Sequence, residues 1–415
     1  VSGNSIILAS ARDGLRILAA ALVALLLVAL PVAAADAQFQ RWLDGVWPEA
    51  EAAGVSRAVF DAATRDLTPD LSLPDLHVPG RKEQPPGQAE FVLTPGQYLK
   101  EATISRLAAQ GRKLAADHRD TLAHIERDFH VPGEIVLAIW GRETDYGRYK
   151  LPYDAIRVLA TQGYTGRRHD LFRGEFIKAL RMLQDGVPRS AMRSSWGGAM
   201  GLTQFLPSDY FRYAVDYDGD GTKNIWTSVP DALAAAARQL VAKGWRSGLP
   251  WAIEVRVPDD ADCTEAEPSV KRPLAEWLNR GFVPAYGRKI EGALLAAPAS
   301  LLMPEGSYGP AFLTTENYFV IKEYNYSDLY VLFVGHLSER IAGGKPFETP
   351  WEKEAQLRTR DVETMQQRLA ALGLYKDKID GKAGMLTRSA VGAYQKENGL
   401  KVDCWPTAAV LERMR

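Results

Sequence analysis

Along residues 38–66, Phe39, Trp42, Leu43 and Val46 recur at spacings of three and four, which predicts an amphipathic helix. Residues 67–93 carry Pro69, Pro74, Pro79, Pro85 and Pro86 and predict an extended connection, because proline removes donors and blocks regular elements. From Thr94 to about Ala242 the apolar period is mostly helical; Ile104, Leu107, Leu114, Leu122 and Ile125 are examples. The pattern then changes. Residues 251–257 alternate as a strand does, and Pro258, Pro268, Pro273, Pro284, Pro298 and Pro304 divide short elements, so a small β-rich insertion is expected over about 246–316. Tyr318 to Ile341 returns to an apolar helical run. A linker is expected over 346–355, followed by a small separate unit over 356–415 with helical faces at Val362, Met365, Leu369 and Leu372, and at Ala390, Val391 and Tyr394.

The N-terminus reads as an export signal. Arg12 and Arg16 precede an apolar run from Ile17 to Leu30, shorter than the ~20 residues a spanning helix needs. Pro31 ends the run, and small residues at 33–37 suit cleavage. Residues 1–37 are therefore expected to be removed, leaving an exported, periplasmic protein with no stable membrane insertion; the other reading is an uncleaved membrane anchor. The 50 Lys+Arg against 51 Asp+Glu supply no basic field, which argues against a nucleic-acid partner. Two cysteines, Cys263 and Cys404, exclude a disulfide scaffold or a cysteine-built metal centre; whether they pair is open.

The chemistry centres on Glu143. A helix is expected after Pro132, with Val136, Ile139, Trp140 and Glu143 on one otherwise apolar face. Desolvation there would favour the protonated carboxyl, the form that donates a proton to a leaving oxygen. Periodicity alone leaves a second reading open, a structural ion pair with Arg167 or Arg168. Asp145 points about 200° round the helix and makes a poor second catalytic carboxylate.

Residues 131–147, with Trp140-Gly141, Glu143-Thr144 and Tyr146-Gly147, resemble the catalytic-helix motif of the lytic murein transglycosylase B family. Ser195 through Ser208, residues 215–221, Gly244-Trp245 and Tyr324-Asn325-x-Ser327 resemble further motifs of that family, in the family's order. The resemblance covers roughly 38–345. It implies a mainly α fold, a lysozyme-like helical core with the β-rich insertion, and cleavage of the β-1,4 bond between N-acetylmuramic acid and N-acetylglucosamine in peptidoglycan glycan strands. It implies Glu143 as both acid and base, a 1,6-anhydro product, no required cofactor and a monomer. The lack of a clear second carboxylate fits, since hydrolases usually use a pair. By motif, Ser195 and Asn325 would hold the reacting ring, Gln204 would bond sugar or peptide, and Tyr98, Tyr324 and Tyr330 would line the cleft. Arg167 and Arg168 would meet acidic groups of the substrate. The other readings are a muramidase that uses water and an inactive wall-binding scaffold.

Asp216, Asp218, Asp220, Thr222 and Asn224 stand at alternating positions around Gly221, as in the first part of an EF-hand loop, and suggest a structural Ca²⁺. Thr227 stands where that motif has glutamate; Asp231 would substitute through a longer loop. The alternative is an Asp/Gly turn held by its own side chains. The tail, with Gln366, residues 379–387, Gln395 and Gly399-Leu400, resembles the three-helix peptidoglycan-binding domain. Its second Asp-Gly is replaced by Asp403-Cys404, where a left-handed turn would be harder to make.

Overall fold

A computed structural model describes residues 37–78, 93–353 and 355–414, so the expected export segment lies outside the described residues. The chain divides into two compact units. One takes the chain up to Pro85 with Leu151–Met200 and Phe205–Ser208; the other takes Pro86–Lys150, Gly201–Gln204 and Asp209–Arg415.

The first unit is helical, with helices over 37–52, Arg57–Thr64, Ala155–Thr165 and His169–Gln184. The single helix expected over 38–66 is thus two. Gly54 takes a left-handed φ of 84°, and the Ser56 hydroxyl caps the second helix by accepting from the Val59 N–H at 3.4 Å. Trp42 packs with Phe39 and Phe176, each at 5.8 Å between ring centroids. Residues 67–78 form no helix or strand beyond one bridge from Leu76 to Gly166, as their prolines predict.

The second unit is built round the Glu143 helix, Gly133–Thr144. Val136, Leu137 and Ile139 are completely buried there, so apolar burial on several faces holds this helix in place. The helices Glu101–Asp117 and Asp328–Ile341 pack against it. The run expected from Tyr318 to Ile341 is broken in two. The helix Glu316–Asn325 ends at Tyr326, which has φ 59°, and Asp328 starts the next. The β-rich insertion is a five-stranded antiparallel sheet. Its order is Lys271–Pro273, Pro298–Leu302, Ala311–Thr314, Ala252–Arg256 and Val283–Pro284, with Ile253 opposite Leu313. Trp277 closes this layer, fully buried, with its indole N–H donating to the Ala299 carbonyl at 2.9 Å.

The tail has three helices, Thr359–Ala371, Met385–Glu397 and Ala408–Arg413, and its own apolar core. Leu372 is not on the buried face as expected; it falls at the helix end and is 55% exposed. Two glutamines repeat one device. The Gln366 carbonyl accepts the N–H groups of Asp380 and Gly381, and the Gln395 carbonyl accepts those of Asp403 and Cys404. Both turns are left-handed, Gly381 at φ 70° and Cys404 at φ 56°. The chain makes the second without glycine, at a residue that is also bonded to Cys263.

That disulfide joins the tail to the β layer, and the two parts are not merely tethered. Lys396 pairs with Asp262 at 2.9 Å, and the Tyr308 hydroxyl donates to Asp403 at 2.7 Å. Arg388 reaches the buried Asp328 at 3.3 Å. Burial alone would raise the Asp328 carboxyl, but Lys322 and Arg388 outweigh it and hold the group well below the usual carboxylate range. The linker is clasped as well. Glu254 accepts the N–H groups of Glu348 and Thr349, and Glu305 those of Glu352 and Lys353.

Candidate active site

Glu143 sits half-buried in the last turn of its helix, in a cleft of about 450 Å³ lined also by Tyr98, Arg106, Arg142, Asp145, Tyr149 and Phe333. Three successive left-handed residues end the helix: Asp145 at φ 49°, Tyr146 at φ 57° and Gly147 at φ 79°. The turn folds Tyr146 back beneath the helix, where its hydroxyl donates to the Leu107 carbonyl at 3.0 Å. A Cβ on Gly141 would lie 2.7 Å from the Tyr146 ring, so glycine there permits the close approach that fixes the helix end.

The Tyr330 hydroxyl donates to Glu143 Oε1 at 2.6 Å. Tyr330 is 1% exposed, and its ring stacks on Tyr324 at 6.1 Å and 11°. Its ring face is thus covered by Tyr324, and it meets Glu143 through its hydroxyl. Burial, then the Glu143 charge, pushes the hydroxyls of Tyr330 and Tyr324 well above their ordinary value, so both stay protonated donors. Tyr324 donates to the Thr203 carbonyl at 2.9 Å, and Thr144, beside Glu143, donates to the Leu202 carbonyl at 2.8 Å. These two bonds tie the segment Gly201–Gln204 to the Glu143 helix and to the Tyr324 helix. Gln204 itself is held at φ 59°, an uncommon conformation for a non-glycine residue, with Nε2 donating to the Gly201 carbonyl at 3.0 Å.

Tyr98 lines the cleft, but its ring is mostly covered. It meets Phe333 edge-on at 5.8 Å, Arg142 lies over it at 5.0 Å, and the Arg142 guanidinium donates to its hydroxyl at 2.9 Å. Asp145 also lines the cleft, yet Arg106 pairs with it at 2.8 Å. Among the described residues lining this cleft, Asp145 is the other carboxylate, and its ion pair with Arg106 makes it a poor second catalytic carboxylate of the kind that two-carboxylate hydrolysis uses. Asn325 closes the Tyr324 helix. Arg106, Arg142, Thr144 and Thr203 escaped sequence reasoning. Arg142 and Thr144 stand beside Glu143 and Thr203 beside Gln204, which was the available signal for three of them; Arg106 meets the site only through a tertiary contact.

Arg167, Arg168 and Ser195 belong to the first unit. The two arginines flank the nearly buried Asp75, at 3.4 and 3.8 Å. Ser195 closes a tight turn in which its hydroxyl accepts the Ala199 N–H at 3.3 Å.

In the loop after Val215, carboxylate oxygens of Asp216, Asp218 and the buried Asp231 lie within 4.8 Å of one another. Asp231 accepts the N–H groups of Tyr217 and Asn224. Asp220 is not in that cluster; it bonds the N–H and hydroxyl of Thr222, and those bonds hold its carboxyl below the usual range.

Glu143 in a helical cleft, held by a hydroxyl from a buried tyrosine, suits a glycan-cleaving enzyme of the lysozyme-like class. The chain belongs to the transglycosylase SLT domain family, whose model matches residues 38–339; a peptidoglycan binding domain model matches 358–414. It is 30% identical over 287 residues to membrane-bound lytic murein transglycosylase B of Escherichia coli (strain K12), covering 66% of this chain and 73% of that protein. Solved structures of SltB3 from Pseudomonas aeruginosa, in complex with NAG-NAM-pentapeptide or NAG-anhNAM-pentapeptide, are similar at a TM-score of 0.80 and 36% identity, covering 91% of this chain and 99% of theirs. Escherichia coli Slt35 in complex with calcium is similar at a TM-score of 0.50 and 27% identity, over 60% of this chain and 77% of that one.

Proposed function

We propose that this lytic transglycosylase works through Glu143 as its one acid/base. The enzyme cleaves the β-1,4 bond between N-acetylmuramic acid and N-acetylglucosamine and leaves a 1,6-anhydro end. Glu143 as carboxylic acid protonates the glycosidic oxygen, and the bond to C1 breaks. Glu143 as carboxylate then takes the proton of the C6 hydroxyl, whose oxygen closes on C1. The proton given in the first step is recovered in the second, and water is not consumed. Tyr330 orients the carboxylate and supplies a bond that strengthens when the group is charged. Asn325 and Ser195 hold the reacting sugar, Gln204 bonds sugar or peptide, Tyr98 borders the cleft, and Arg167 and Arg168 meet acidic groups of the strand.

The observation that carries this reading is the pairing of Asp145 with Arg106 beside a Glu143 held by Tyr330. The test is Glu143→Gln, which keeps the shape and removes the proton cycle. Turnover on purified sacculi is expected to fall at least ~100-fold. Near-normal release of anhydro-sugars by the folded variant would defeat the assignment.

The protein acts as a single copy on glycan strands in the periplasm, after export by its N-terminal segment, and the tail adds wall affinity. No helix of the described residues is long and apolar enough to cross a membrane. The three converging carboxylates of Asp216, Asp218 and Asp231 form a hard-oxygen set suited to Ca²⁺, with Asp231 in place of the usual terminal glutamate. Such an ion neutralises the mutual repulsion of the set and stabilises the loop; it takes no part in the chemistry.

A further inference from the structure

A second cavity, of about 570 Å³, opens in the same unit at the other ends of the two central helices. Glu143 stands in the last turn of its helix and Tyr330 in the first turn of its own. This cavity is bordered instead by the start of the first, at Glu134, and the end of the second, at Glu339. It shares no lining residue with the Glu143 cleft. Four aromatic side chains line it: Trp245, Trp251, Tyr286 and Phe347.

Glu339 is half-buried among them, with the Trp251 indole N–H donating to Oε1 at 3.1 Å. None of the described Lys or Arg residues forms an ion pair with it. Burial raises its carboxyl to about 7; the Trp251 bond and Arg288 oppose the rise, and the Glu254 charge adds to it. Glu254 is already spent on the linker, accepting the N–H groups of Thr349 at 2.9 Å and Glu348 at 3.0 Å. At the mouth, Tyr286 is 50% exposed and held at φ 54°, a costly conformation for a bulky aromatic residue, with Lys345 over its ring at 4.7 Å. The charged and titratable groups facing Glu339 are thus Glu134, Glu254, Tyr286, Arg288 and Lys345.

A desolvated carboxyl with no cation of its own gains when an ammonium arrives, since the ion pair repays the desolvation of its charged form. Aromatic walls add attraction for the same cation. Arg288 offers a planar fork suited to a carboxylate. We propose that this cavity binds the peptide arm of the wall polymer, with an ammonium against Glu339, a carboxylate against Arg288, and the apolar part between Trp251 and Phe347. The choice of a peptide arm rests on peptidoglycan being the substrate; the matched charges and aromatic walls do not.

The test uses the full-length Glu143→Gln protein and the probe Nα-acetyl-L-Lys-D-Ala-D-Ala, read by calorimetry and by tryptophan fluorescence. Saturable 1:1 binding is expected. Acetylation of the probe's Nε, or Glu339→Gln in the protein, weakens it at least tenfold; glutamine keeps an acceptor for Trp251, so the fold is spared. At pH 6 binding releases a proton, seen as a heat that depends on the buffer. Amidation of the probe's C-terminus weakens binding to the parent protein and costs nothing further in Arg288→Met. No binding, equal affinity for the Nε-acetylated probe, or unchanged affinity in Glu339→Gln would each overturn the proposal. Wild-type turnover on sacculi, measured alongside, separates the outcomes: normal anhydro-sugar release with no peptide binding removes this site and leaves the Glu143 assignment standing.

Discussion

Replacing Tyr330 with phenylalanine removes one oxygen from the centre of the site and little else. The hydroxyl donates to Glu143 Oε1 at 2.6 Å from a side chain that is 1% exposed, so water cannot readily take its place. A hydrogen bond to a charged group contributes about 1.5–3 kcal/mol. If that bond is made fully only as the carboxylate forms, the whole amount falls on the reaction barrier. At 1.36 kcal/mol per decade this is a loss of about ten- to a hundredfold in kcat. The ring keeps its volume and its stack on Tyr324, so KM should stay within a factor of about two and the melting temperature within about 3 °C. The assay is steady-state release of anhydro-muropeptides from soluble glycan strands, with thermal unfolding of the same sample. A kcat within twofold of wild type would show that Tyr330 does not steer Glu143. A loss accompanied by a collapse in melting temperature would assign the effect to folding instead.

Four further outcomes follow from the structure. The Cys263–Cys404 bond closes a separation of 141 residues, so replacing both by serine should cost about 2–4 kcal/mol in denaturant unfolding, and an unchanged midpoint would refute the clamp. Glycine rather than serine at 404 should recover about 1 kcal/mol, because φ there is 56°. His336 is buried, and that burial, aided by Arg340, depresses its pKa from 6.5 to about 4; the unfolded chain binds the proton more readily, so stability is lost as pH falls from 6.5 towards 4. His336→Leu should flatten that part of the stability–pH curve, and an unaltered slope would refute the assignment. Millimolar Ca²⁺ should raise the melting temperature by mass action, with an affinity near the ~10⁻⁴–10⁻³ M of extracellular modules; equal melting temperatures in Ca²⁺ and in chelator would leave the loop a metal-free turn.

The helical architecture and the β insertion were legible because each writes its own apolar period into the chain, whereas in the tail that period marked two helices and the third came from the resemblance. The breaks were less so. Tyr326 adopts a left-handed φ that no pattern of apolar residues announces, and a continuous helix was expected across it. Glu143 was legible as an isolated acid on an apolar face. The bond from Tyr330 was not: its place in the motif suggested a residue lining the cleft, and only the fold brings its hydroxyl to Glu143 across 187 residues. The pairing of Arg106 with Asp145 spans 39 residues, and the hold of Asp75 on Arg167 and Arg168 spans more than 90, separations at which spacing carries no information. The clamped tail illustrates the same limit. Asp403-Cys404 reads as a damaged turn until Cys263 is seen beside it.

The central claim is that Glu143 returns the C6 hydroxyl, and not water, to the cleaved bond. Digestion of purified sacculi in ¹⁸O-water, followed by mass spectrometry of the released muropeptides, tests it most directly. The wild-type enzyme should release 1,6-anhydro ends without ¹⁸O, and Glu143→Gln should release at least ~100-fold less of them. New reducing ends carrying ¹⁸O would contradict it and make the enzyme a hydrolase.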